Sequence, residues 1–160
     1  SRQIEKTDKK LAKRIEEISG GYARFVEGTV SPSARKTFKR LGFKITDSFH
    51  RYKVERNGHT VVEYDTIFIG EKNGERFLII GETKSYITPQ KVQEFLGRLE
   101  KAKKYLKFAN GYKVIGFIAS QNYETGVDTF AIRQGLYVFK PSGEIMKLDV
   151  PKGFVPKIWS

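Results

Sequence analysis

The sequence predicts an α/β domain, a mixed central sheet flanked by helices on both faces and preceded by a long helix. Three observations carry this expectation. Asn57-Gly58 and Asn73-Gly74 separate three strand-like runs, and Asn-Gly is the strongest short hairpin signal because both turn residues tolerate positive φ. The third run, Glu75 to Lys84, is apolar at both parities, with Phe77 and Ile79 on one side and Leu78 and Ile80 on the other. Such a strand needs cover on both faces. Finally, Thr88-Pro89 opens a segment of helical period directly after it, in the cap-then-proline manner of a helix start.

Taken in order, residues 1–26 read as a long helix. Ile4, Leu11, Ile18 and Phe25 lie seven apart, with Ile15 and Tyr22 at alternate seam positions and charged residues between them. This is a candidate coiled coil or an amphipathic helix docked on the domain. The absence of a leading Met suggests the end of a longer upstream segment. Residues 27–160 form the second unit. Ser31-Pro32 predicts an N-cap and first-turn proline for a helix to Leu41, closed by Gly42. Strands follow over 45–56, 59–72 and 75–84, as an antiparallel meander. The next helix runs from Pro89 towards Ala109, with Val92, Phe95, Leu96, Leu99, Ala102 and Leu106 inward. Val114 to Ala119 is a short buried strand, Val127 to Gln134 a short helix stopped by Gly135, and 136–140 and 144–150 two final strands around Pro141-Ser142-Gly143.

Composition narrows the function. At 160 residues the chain suits one domain with a real core. It has no cysteine, which excludes disulfides and thiolate zinc sites, and only two histidines, His50 and His59, which read as exposed bystanders. No apolar stretch is long enough to span a bilayer, so the expected setting is the cytoplasm, with no membrane partner. Thirty Lys and Arg against 18 Asp and Glu give a formal charge of +12, which points to a polyanionic partner, nucleic acid first. The same balance also occurs in Lys- and Glu-rich thermophilic proteins.

Against that basic background, residues 61–84 carry Glu63, Asp65, Glu71, Glu75 and Glu82. Three of these sit inside apolar strand sequence, where a carboxylate is costly unless something positive compensates it. If Asn73-Gly74 forms a two-residue loop, Lys72 pairs with Glu75. Asp65 then lies opposite Glu82 and Glu63 opposite Lys84, all on one face; a bulge would break this arrangement. Carboxylates facing each other repel, and a divalent cation resolves the conflict. Oxygen ligands alone favour a hard ion, Mg²⁺ or Mn²⁺. With Lys84 beside them, the parts suit phosphodiester hydrolysis.

Asp65 followed by Glu82-Thr83-Lys84 at the end of the next strand resembles the signature of the PD-(D/E)XK nuclease superfamily. The order of elements over residues 22–120 resembles its restriction-endonuclease-like αβββαβ core. Tyr64 stands where that motif has its proline. The resemblance implies that Asp65 and Glu82 ligate the metal and that Lys84 serves the attacking water. It adds Glu27 as a further ligand from the first core helix, and Gln90 and Gln93 as accessory residues on the helix after the signature. The expected activity is Mg²⁺- or Mn²⁺-dependent cleavage of DNA by a homodimer joined through the N-terminal helix. A non-catalytic nucleic-acid-binding or assembly module of the same fold is the alternative.

Plainer roles stand beside these. Glu63 also suits a surface strand residue paired with Lys53 or Lys84, and Glu27 a helix-end charge near Arg24 or Arg35. Lys101, Lys103, Lys104 and Lys107 suit a DNA backbone or a solvated helix face. Tyr86, Tyr52 and Phe49 suit base stacking, or, for two of the three, core packing.

Overall fold

The computed structural model describes residues 25–159. The helix expected over 1–26 therefore lies, but for its last two residues, outside the described residues. A π-helical turn, Val26–Val30, leads without a break into α1, Ser31–Arg40. Then come β1 (Lys44–Arg56), β2 (His59–Lys72), β3 (Glu75–Ile87), α2 (Pro89–Glu100), a one-turn α3 (Ala102–Tyr105), β4 (Lys113–Tyr123), α4 (Val127–Arg133), β5 (Tyr137–Ser142) and β6 (Ile145–Leu148).

The six strands form one mixed sheet in sequence order. β1, β2 and β3 are antiparallel neighbours, β4 joins β3 and β5 in parallel, and β6 closes the edge antiparallel to β5. Both Asn-Gly pairs turn as expected, with φ of 54° and 77° at Asn57-Gly58 and 52° and 78° at Asn73-Gly74. The two parallel crossovers, β3–α2–β4 and β4–α4–β5, advance in the same direction across the sheet. Crossovers of one hand then put their helices on one face. That face holds Val92, Phe95, Leu96 and Leu99 of α2 and Val127 and Ala131 of α4 against Leu78, Ile80, Val114 and Ile118. The other face belongs to α1, whose Ala34 and Phe38 pack on Phe68, Ile79, Phe117 and Phe139. Phe38 is the hub, meeting Phe43, Phe68, Tyr137 and Phe139 edge-on at centroid distances of 5.2–6.4 Å.

The structure corrects four local expectations. Ser31 is not an N-cap: it is buried inside a continuous helical stretch with no side-chain cap. Pro32 has no N–H to donate back along the helix, and the wide π turn before it takes up the mismatch. The helix expected from Pro89 to Ala109 is three pieces, ending in a 3₁₀ turn at Lys107–Ala109. His50 is half-buried rather than exposed, with Nε2 3.4 Å from Ser31 Oγ. Of the three aromatics, only Tyr52 packs on the core, while Phe49 and Tyr86 are exposed.

The β2–β3 register begins at Lys72–Glu75 as expected and runs to Thr66–Gly81, where the pairing stops. Beyond that point β2 pairs with β1 alone. Opposite Asp65, Arg51 of β1 takes φ 52° and leaves the ladder between the His50–Thr66 and Tyr52–Tyr64 pairs. Side chains alternate along a strand, yet Tyr64 and Ile67 enter the same core. The strand has turned at Asp65.

Candidate active site

The site forms where β2 leaves β3. With its backbone partner gone, the Thr83 N–H is taken by Asp65, whose Oδ2 accepts it at 2.9 Å. One carboxylate oxygen is thereby fixed by the backbone of the neighbouring strand. Glu82, next to Thr83 and only 5% exposed, is held on β3 opposite Ile118 of the parallel partner β4. Two residues on, Lys84 places Nζ 3.9 Å from Glu82 Oε1. Asp65, Glu82 and Lys84 thus come together at one end of the sheet.

A fourth member comes from α2. The Arg98 guanidinium pairs with Glu82 Oε2. The helix is pinned at this residue, because the buried Tyr64 donates its hydroxyl to the Arg98 carbonyl at 2.9 Å. Burial pushes the Asp65 carboxyl above its ordinary pKa; the Thr83 N–H and then Lys84, Arg98 and Arg51 pull against that rise. Burial likewise lowers the Arg98 guanidinium, with Asp65 opposing. Tyr64, buried beside them, is raised to about 12, chiefly by desolvation.

Two carboxylates and no thiolate or imidazole make a donor set suited to a hard divalent cation completed by water and phosphate oxygens. Among the described residues no group of three or more His, Asp or Glu is gathered to hold an ion. Some polar atoms on the same elements lack partners. Thr66 Oγ1 and Thr83 Oγ1, adjoining Asp65 and Glu82 in sequence, are buried without a hydrogen bond, as is Arg98 Nε.

The remaining candidates fall outside this cluster, although Glu63 and Lys101 share a cleft with Arg98. Glu63 is not opposite Lys84: the ladder ends before it, and it pairs with Lys53 on β1. It lines a cleft of about 380 Å³ with Glu94, Arg98, Lys101 and Tyr105, so Arg98 stands between that cleft and Glu82. The backbone of Glu27 belongs to the π-helical turn; its side chain lies outside what is described. Gln90 donates to Glu94 at 3.3 Å on the exposed side of α2. Gln93 lines a different hollow, with Glu100, Gln134 and Trp159, and neither glutamine joins Asp65 and Glu82. Lys104 Nζ lies 6.0 Å from the Tyr105 ring centroid. Tyr86 carries Lys91, whose ammonium donates to the Tyr86 carbonyl at 2.7 Å.

Sequence reasoning missed Arg98 and Arg51. Arg98 sits among outward lysines, but it directly precedes the buried Leu99 and follows Phe95 by three. A buried Glu82 demands a cation, and that demand was the available signal.

No family model matches the chain, and no curated protein matches it. The chain is similar at 15% identity and a TM-score of 0.39 to one in a solved structure described as "Structure of EndoMS-dsDNA2 complex", over 72% of this chain and 45% of that one. The chain spans less than half the length of that protein, and a likeness so slight carries no weight for fold or activity.

Proposed function

We propose that the chain is a metal-dependent nuclease that hydrolyses phosphodiester bonds in DNA, with Asp65 and Glu82 as metal ligands and Lys84 as the catalytic cation. One observation supports this reading above the others: two carboxylates and an ammonium from adjacent strands converge where those strands part. A Mg²⁺ or Mn²⁺ held between them would polarise the scissile phosphate and make a water acidic enough to attack it. The chain's own groups do the rest. Thr83 N–H fixes the orientation of Asp65. Lys84, half-buried and close to Glu82, orients the attacking water and stabilises charge on the phosphate. The formal charge of +12 draws the polyanion in.

The test is plasmid cleavage together with calorimetric titration of Mn²⁺. Asp65→Ala and Lys84→Ala should each lower Mg²⁺- or Mn²⁺-dependent cleavage by at least about a hundredfold while leaving DNA affinity largely intact. Wild type should bind Mn²⁺ and Glu82→Ala should not. Absence of both cleavage and Mn²⁺ binding in wild type would favour the second reading, a non-catalytic nucleic-acid-binding or assembly module. The occupation of Glu82 by Arg98 favours that alternative.

The heptad pattern of residues 1–26 underlies a further part of the proposal, a homodimer joined through that segment. Removing residues 1–20 should halve the mass found by light scattering; an unchanged dimer would assign the interface elsewhere.

A further inference from the structure

Beside the candidate site lies a groove that the nuclease reading does not use. Past Thr66 the β1–β2 ribbon continues without β3, and Tyr52 meets Phe108 of the 3₁₀ turn edge-on at 6.0 Å. Between ribbon and turn is a hollow of about 400 Å³, lined by Tyr52, Lys53, Arg56, Tyr105, Lys107 and Phe108, with Glu55 as the one acid. Phe108 is 39% exposed. Phe49, also exposed, extends the row, meeting Tyr52 at 5.9 Å. Tyr105 lines both this groove and the neighbouring cleft that holds Arg98, so the groove adjoins the candidate site through a shared wall.

We propose that this groove binds an unpaired polynucleotide strand, with bases stacked on the exposed Phe108, which Tyr52 backs edge-on, and phosphates against Lys53, Arg56 and Lys107. Three cations against one acid set the sign of the occupant. The rings set its form. Bases within a duplex are stacked on one another, whereas a single strand offers free π-faces to exposed aromatic side chains, whatever the base. Lysines alone would suit any phosphate backbone; lysines interleaved with exposed rings suit a strand whose bases are available. The strand's service as substrate rests on the nuclease reading, but its binding does not.

The experiment is fluorescence anisotropy on the full chain in EDTA, with labelled oligothymidylate, oligouridylate and a blunt DNA duplex as probes. Phe108→Ala should weaken single-strand binding about tenfold and duplex binding far less. Phe108→Trp should retain wild-type affinity. Replacing Arg56 and Lys107 by Gln should lower the salt dependence of single-strand binding by about 0.7 per charge removed. Thermal melting of the exposed-site variant Phe108→Ala checks that it folds. Binding of either homopolymer supports the groove, since stacking is common to both. Wild-type affinity in Phe108→Ala, equal losses for duplex and single strand, or a change in self-association on light scattering would overturn the proposal. Binding in EDTA is independent of turnover. If cleavage never occurs but Phe108 governs strand affinity, the nuclease reading falls alone; if Asp65-dependent cleavage occurs while Phe108→Ala binds normally, the groove falls alone.

Discussion

Arg98 changes what the candidate site must do to accept a cation. Glu82 is almost wholly buried, and its charge is balanced by a guanidinium on one oxygen and a more distant ammonium on the other. Any divalent cation ligated by Glu82 competes with that guanidinium. Arg98→Met should therefore act in opposite directions with and without metal. In EDTA, removing the charged partner of a buried carboxylate should cost about 2–3 kcal/mol. As Mn²⁺ is added, the melting temperature of the variant should rise more than that of wild type, because the ion binds the folded state more tightly. Calorimetry should show that tighter affinity directly. Weaker Mn²⁺ binding in Arg98→Met would mean that Arg98 organises the ligands rather than competing with the ion.

At the scale of elements, the hairpins were legible because Asn-Gly fixes both turn type and register, and the observed Lys72–Glu75 pairing follows from it. The site was legible only in part. Asp65 and Glu82 were found from carboxylates in apolar strands, but the kink at Arg51 carries no Gly, Pro or Asn to announce it. The expectation for Glu63 failed because the β2–β3 ladder ends at Thr66–Gly81, before Glu63 can meet Lys84. The tail was illegible for a related reason: Trp159 is tied by its N–H to the Val114 carbonyl at 2.8 Å, a contact between distant residues that no local period encodes. Packing near the site offers a sharper test. A Cβ on Gly81 would stand 2.0 Å from the Phe117 ring. Gly81→Ala should destabilise the protein by about 1–3 kcal/mol in urea unfolding, and Phe117→Leu should recover part of that loss in the double variant. The α4–β5 join depends on charge instead. Lys140 Nζ contacts Asp128 at 2.5 Å and Asp149 at 2.9 Å, which holds Asp128 below its ordinary pKa and Lys140 above its own. A lowered carboxyl contributes stability above its ordinary value of 3.8 and loses it as pH falls through the folded-state value. Asp128→Asn should thus cost about 0.5 kcal/mol at neutral pH, with the difference fading in acid.

At the scale of the whole molecule, the described residues present basic side chains on two opposite faces of the sheet. The outer side of α1 bears Lys36, Lys39 and Arg40 around shallow hollows shared with Ile145. The α2–α3 side bears Lys101, Lys104 and Lys107, and from it Arg98 reaches Glu82. The sheet separates the two. If net charge alone attracted DNA, both faces would count equally, because a diffuse field depends little on where each charge sits. If a strand lies across the candidate site, the lysines nearest it release counterions and the remote ones do not. Replacing Lys101, Lys104 and Lys107 together by Gln should flatten the plot of log affinity against log salt by about 0.9 for each duplex phosphate no longer neutralised. Replacing Lys36, Lys39 and Arg40 by Gln removes the same charge and should leave the slope nearly unchanged. Because the two triple variants have equal net charge, an equal drop in slope would show a general polyanion attraction, whereas a drop confined to the α2–α3 variant would locate the nucleic acid on the side from which Arg98 meets Glu82.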